Sequence, residues 1–366
     1  MNATVSLMVL PSHPDDDDAP AQFYLLRSDI WQEVPLTNTA RIGLLTVKKG
    51  IASLLGKVMT RISQGDSENA RAFLRSKCHG FWNNLLPQVI RDQLTEAFAR
   101  SAEPPCVLVY THPKLEWLPW ELLHDGSAYM GVRCRVARLP IVPNGPANGG
   151  TRRTVTSAAS FLGGGVFSAP ADALQIDRWA GTFAPAEAQG VTVSRFPVNG
   201  EGAWPIVDDV QAAQSCDIIH LTCHGGVDGQ GTPFLTLDPD DDLANIDADL
   251  AGLMNFPATG PLVFGNACGS AGPAAVREEV ARAVAVAFFD RGASAFVGAI
   301  APITKAVAVE FAEVFYRRLL IDGLAVGEAL RSTKQYFHDA GNPDPSWLFY
   351  CLYGSPDTCF VPMQAP

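Results

Sequence analysis

From Thr154 onward the chain alternates short apolar runs with amphipathic segments, and this alternation constrains the fold more than any other feature. TSAASFLGG and the segments 191–198, 217–223, 261–268 and 294–300 read as buried strands. Helical spacing occupies 176–184, 205–214 and 277–291 between them, and then 305–320 and 325–339. WLFYCLYG closes the series as a short strand. Apolar strands, each followed by a helix, predict a mostly parallel sheet flanked by helices in three layers. No internal period of 20–50 residues runs through the chain, which argues against a solenoid.

At 366 residues the chain exceeds what one core usually holds. The stretch VPNGPANGGTRRT, at 142–154, interleaves glycine, asparagine and proline and cannot sustain a helix or a ladder. We therefore expect an N-terminal α/β subdomain over 1–145, a linker over 146–154 and the main α/β domain over 155–362. Within the subdomain the first 20 residues, with Asp15–Asp18, read as a surface loop. Helical spacing covers 41–61 and then 67–98 with a break near Pro87, and 106–112 and 131–142 read as strands.

Composition narrows the function. Thirty-eight acidic against 27 basic residues leave a net charge of −11, and such a surface repels phosphate backbones, so direct nucleic-acid binding has no electrostatic support. No apolar run approaches the ~20 residues that span a bilayer, so no membrane partner is expected. The N-terminus lacks the basic start of a signal peptide, and a cytoplasmic location is the expectation. None of the eight cysteines stands at C-x2-C or C-x4-C spacing, which leaves no compact zinc motif and fits reduced, mostly buried thiols.

One cysteine does not fit that description. Ligands collect beyond the carboxyl ends of strands in open α/β sheets, and two strands end there on reactive side chains. DIIHLTC runs into His224–Gly225–Gly226, and PLVFGNA runs into Cys268–Gly269–Ser270, 44 residues downstream. If the two strands are neighbours, an imidazole and a thiol share one rim. The imidazole would make the thiolate available and return the proton to a leaving amine. The backbone N–H groups of Gly225 and Cys268 would hold a developing oxyanion. The expected reaction is peptide-bond hydrolysis through a thioester. Cys78–His79–Gly80 repeats the C-H-G triplet within a helical stretch and is read as a chance match. The caspase signature Q-A-C-[RQG]-G, with its histidine roughly 50 residues upstream, is close in spacing and looser in letters.

Here the sequence resembles the CHAT proteases, caspase-like cysteine peptidases of clan CD related to separase. The resemblance rests on IIHLTCHG at 218–225, PFLTL at 233–237, LVFGNACGSAG at 262–272 and VAFFDRGASAFVGAIAPI at 286–303. FAEVFYRRLLIDGLAVGEALRSTKQYF at 311–337 and PSWLFYCLYGSP at 345–356 continue it, and LEWLPWELLHDGSAYMGVRCRVARLP at 115–140 precedes it. It implies a caspase-like fold, His224 as base, Cys268 as nucleophile, and a protease of prokaryotic defence or cell death held latent until a partner or trigger appears. The N-terminal subdomain would be a pseudo-protease-like half. A catalytically silent member that binds a partner protein through the same fold is the alternative. The chain departs from the family at Ala301, where a tryptophan often stands before the proline.

The resemblance also implies that Asn266, two residues before the nucleophile, lines the substrate pocket. Asp172 and Asp177 would be acidic contacts for a basic substrate side chain; their ordinary reading is solvated surface carboxylate. No cofactor is required. Calcium at Asp238–Asp242, Asp247 and Asp249 lacks loop-motif spacing, and a solvated loop is the plainer reading. Arg152–Arg153, in the linker, would be a self-cleavage point if basic residues are preferred.

Overall fold

The computed structural model describes residues 3–13, 16, 20–27, 30–34, 44–112, 115, 118–141, 150–164, 166–167, 172–197, 212–227, 233–237, 245–247, 251, 254, 256, 260–267 and 284–363. The chain divides into two compact units, Met1–Ile141 with Lys334–Phe349, and Val142–Thr333 with Tyr350–Pro366.

The first unit carries strands β1 (Thr4–Pro11), β2 (Ala21–Arg27), β3 (Ile30–Val34), β4 (Cys106–Thr111) and β5 (Arg135–Pro140). They run in the order β3-β2-β1-β4-β5. The hairpin partners are antiparallel, whereas β1, β4 and β5 are parallel. Helices Leu44–Ser63, Ser67–Leu85 and Gln88–Arg100 supply Val47, Ile51, Trp82, Ile90 and Leu94 to one core with Leu7, Val9, Phe23, Val107 and Val109. Pro87 stands where the helical run breaks, as expected of a residue that cannot donate to the preceding turn. Two expectations are corrected. Residues 4–11 are a strand, because the apolar alternation of VSLMVLP outweighs the acidic run beyond it. Met130–Arg133 is a helical turn, and the strand begins only at Arg135.

The second unit carries β6 (Arg152–Val155), β7 (Ser157–Leu162), β8 (Thr192–Pro197), β9 (Ile218–Thr222), β10 (His224–Val227), β11 (Pro233–Thr236), β12 (Asn245–Asp247), β13 (Leu262–Asn266), β14 (Ala295–Ala299), β15 (Tyr350–Gly354) and β16 (Cys359–Pro362). Its main sheet runs β15-β14-β13-β9-β7-β8. All pairs from β14 to β8 are parallel, and β15 alone is antiparallel to its neighbour. This is the mostly parallel, helix-flanked α/β sheet of the caspase-like class. β10, β11 and β12 form a small antiparallel sheet of their own.

Strand alternation assigns the two faces. Phe264 of β13 pairs in register with His220 and Val297, and its ring meets Phe315 and Tyr316 of helix Lys305–Tyr316. Phe296, one residue out of step, points the other way and stacks on Phe288 of helix Val284–Asp290 at 5.8 Å. Helices therefore cover both faces, which explains why β9, β13, β14 and β15 are buried along their whole length.

The linker expected over 146–154 becomes strand at Arg152. β6 pairs in parallel with β16, Arg152 opposite Cys359 and Arg153 opposite Phe360. Its main chain is held by that ladder, so Arg152–Arg153 is not a loose tether. The helix expected over 205–214 and the first half of that over 277–291 lie largely outside the described residues. Among the described residues no helix is long and apolar enough to cross a membrane.

Candidate active site

β9 and β13 lie side by side in parallel, and their last paired residues are Thr222 and Asn266. His224 follows Thr222 by two residues and Cys268 follows Asn266 by two. The register therefore puts the carboxyl ends of the two strands, Thr222 and Asn266, side by side, on strands about 4.8 Å apart. Cys268 itself, with Gly269 and Ser270, lies outside the described residues.

His224 opens β10 and is half-buried, opposite Thr236 of β11; Gly225 stands opposite Leu235. The bend from β9 into β10 is gripped from the end of β7. Gly163 donates its N–H to the Thr222 carbonyl at 2.8 Å, and Gly164 donates to the Leu237 carbonyl at 2.6 Å. A Cβ on Gly163 would sit 2.9 Å from the Leu237 oxygen and 3.3 Å from Cys223 Cα. Glycine is required there for close backbone approach, which gives Gly163–Gly164 a structural role beside the candidate base.

Asn266 is 4% exposed. Its Nδ2 donates to the Ala308 carbonyl at 3.1 Å and its Oδ1 accepts from the Tyr350 hydroxyl at 2.5 Å. Both ends of the amide thus hold neighbouring elements, a helix on one side and β15 on the other. Asp172, just before helix Ala173–Gly181, accepts from Lys305 Nζ at 2.7 Å, while Asp177 is exposed on that helix. Lys305 Nζ also lies 6.0 Å from the Phe167 ring centroid. The segments leaving β7 and β14 are joined by this contact and by an Arg178–Glu313 ion pair.

Sequence reasoning passed over His220, the one ionisable side chain within the apolar run IIHLT. It is 1% exposed. Nδ1 stands 3.1 Å from the Tyr316 hydroxyl and Nε2 2.7 Å from Thr222 Oγ1, and burial pushes its pKa down to about 3. A polar residue amid β-branched and aliphatic neighbours was the available signal.

Cys78 is fully buried in helix Ser67–Leu85, and burial raises its thiol to about 12. That is an inert packing cysteine, as the chance-match reading requires. None of the seven described cysteines is in a disulfide. Among the described residues no three His, Cys, Asp or Glu side chains gather as metal ligands. Asp238–Asp242 and Asp249 lie outside those residues, and Asp247 ends β12.

The family described as CHAT domain matches residues 76–351. No curated protein matches the chain. Among solved structures, a chain of the Saccharomyces cerevisiae separase–securin complex is similar with a TM-score of 0.62 and 9% identity, covering 98% of this chain and 30% of that one. A second structure of that complex gives 0.58, 9%, 97% and 30%. The Arg-specific cysteine proteinase gingipain R is similar with a TM-score of 0.51 and 10% identity, over 82% of this chain and 76% of that one. At such identities the likeness is one of fold.

Proposed function

Because the chain belongs to the CHAT-domain family, we propose that it is a cysteine endopeptidase in which Cys268 is the nucleophile and His224 its base. One observation carries this reading. β9 and β13 are parallel neighbours whose last register pair, Thr222 and Asn266, precedes His224 and Cys268 by two residues each in the sequence, and an α/β fold places its ligands beyond such strand ends.

The chemistry follows from the two groups. The imidazole draws the thiol proton, and the thiolate sulfur attacks the substrate carbonyl carbon. The oxygen gains charge and is held by the N–H groups of Gly225 and Cys268. As the C–N bond breaks, the imidazolium gives its proton to the departing amine, leaving a thioester. A water molecule, deprotonated by the same imidazole, then attacks the thioester carbonyl. The acid product leaves and the thiol is restored.

A protein substrate, a prokaryotic defence or cell-death setting in the cytoplasm and a regulatory partner belong to the same proposal. A chain of similar fold, of which this chain spans 30%, comes from a separase–securin complex, and that supports a protein partner. Asp172 is proposed to stand at the wall of the substrate pocket, with Asp177 farther out; Asn266, whose amide is bonded to Ala308 and Tyr350, is proposed to hold that wall from beneath. The test is a peptide-library cleavage profile of the wild type beside Cys268→Ala. A defined set of cleaved bonds in the wild type, absent from the variant, supports the reading. An identical profile from both sinks it and favours a binding module contaminated by another protease.

A further inference from the structure

Two buried polar anchors stand at the ends of β9 and β13, and both reach the same helix. On β9, Thr222 Oγ1 meets His220 Nε2 at 2.7 Å, and His220 Nδ1 meets the Tyr316 hydroxyl at 3.1 Å. On β13, Asn266 takes the Tyr350 hydroxyl and gives to the Ala308 carbonyl. Tyr316 and Ala308 both belong to helix Lys305–Tyr316. Thr222 is 2% exposed and His220 1%.

Aromatic packing alone does not call for these polar atoms. His220 stacks on Phe264 at 5.2 Å and meets Phe183 edge-on at 5.9 Å, contacts that a phenylalanine could also make. A buried imidazole carries a desolvation cost that such a residue would avoid. What the polar chain supplies is direction. A neutral imidazole has one donor and one acceptor. If Tyr316 donates to Nδ1, then Nε2–H donates to Thr222 Oγ1; the other tautomer reverses both bonds. Either way both ring nitrogens are occupied and the Thr222 hydroxyl has a fixed place. Satisfied buried networks of this kind set a single geometry.

We propose that Thr222, oriented by His220 and Tyr316, is a positioning residue that fixes the exit of β9 and hence the placement of His224, the proposed base for Cys268. The proposal rests on the Cys268–His224 reading and names what aims its base. The Asn266 anchor does the same for the neighbouring strand, so helix Lys305–Tyr316 is a common strut for both.

The test uses the full chain, with the rate of iodoacetamide alkylation followed from about pH 5 to about pH 9 by mass spectrometry of the Cys268 peptide. Thr222→Val keeps the shape and removes the hydroxyl. It is expected to raise the pH midpoint by about one unit, cutting labelling at neutral pH by about fivefold to tenfold. Thr222→Ser, which restores the hydroxyl, brings the midpoint back toward the wild type. Tyr316→Phe, which removes only the far hydroxyl, shifts it in the same direction by less. A purely structural role would lower the melting temperature and leave the midpoint where it was. That result in Thr222→Val and Tyr316→Phe overturns the proposal, and if Thr222→Val does not fold, Tyr316→Phe decides. His224→Ala in the same assay separates the two levels. If it leaves the midpoint unmoved, the dyad reading itself fails and the positioning role falls with it; if it moves the midpoint and the anchor variants do not, only the positioning role falls.

Discussion

Thr222 and Asn266 are register partners at the last rung shared by β9 and β13, and each has its side chain tied down beneath the sheet. Parallel strands end flush only when their registers agree. In the sequence, His224 follows one of these partners by two residues and Cys268 follows the other by two.

The Asn266 amide joins β13 to Ala308 and Tyr350. Asn266→Leu fills the space but gives up both hydrogen bonds in a buried setting, at a cost of about 1–3 kcal/mol. Urea unfolding should register the loss. Peptide cleavage should fall as well, because the strand end that leads to Cys268 is no longer held. Wild-type stability in the variant would mean that the amide contributes nothing net.

Gly163→Ala places a methyl 2.9 Å from the Leu237 carbonyl oxygen, and backbone on both sides has little room to yield. A loss of about 1–3 kcal/mol is expected, together with slower cleavage, since Cys223 and then His224 must shift. Thermal melting and cleavage rate measured together check this. Gly181→Ala, where a Cβ meets nothing within 4 Å, is the contrasting control.

In the first unit, Arg138 and Glu121 form a bidentate pair at 0% and 1% side-chain exposure, with Nη2–Oε2 at 2.6 Å. Glu121→Leu removes the carboxylate from a buried guanidinium and should cost about 3–5 kcal/mol. Glu121→Leu with Arg138→Met removes both charges and should recover most of that loss, because the desolvation penalty goes with them. Denaturant unfolding of the single and double variants decides it.

His220 makes stability depend on pH in a predictable direction. Its folded pKa, pushed down to about 3 by burial, lies below the ~6.5 of an unfolded histidine. Above pH ~6.5 neither state is protonated and the group contributes no slope. As pH falls from ~6.5 toward 3 the unfolded chain takes up a proton that the folded chain refuses, and stability declines by about 1.4 kcal/mol per pH unit. Between pH ~6.5 and ~5 this amounts to about 2 kcal/mol. His220→Gln should be less stable at neutral pH and should lack that part of the slope. Urea midpoints at both pH values, compared between the two proteins, measure the difference.

The strands that matter most were legible because they are buried on both faces and read as unbroken apolar runs; the residues closing β9 and β13 stood out against them. What the sequence could not supply were pairings between distant segments. β6 looks like a tether because its partner, β16, lies some 200 residues away. β1 was hidden by the acidic run that follows it. The His220–Thr222–Tyr316 chain was half legible, since a lone histidine in an apolar strand is a signal, but its partner Tyr316 comes from a helix 96 residues downstream.

The central claim is that His224 activates the Cys268 thiol, and the direct measurement is the alkylation rate of each of the eight cysteines at neutral pH in the wild type and in His224→Ala. Cys268 should react well ahead of the other seven in the wild type and lose that lead in the variant. Equal, slow labelling of all eight, or a fast Cys268 indifferent to the loss of His224, would contradict it.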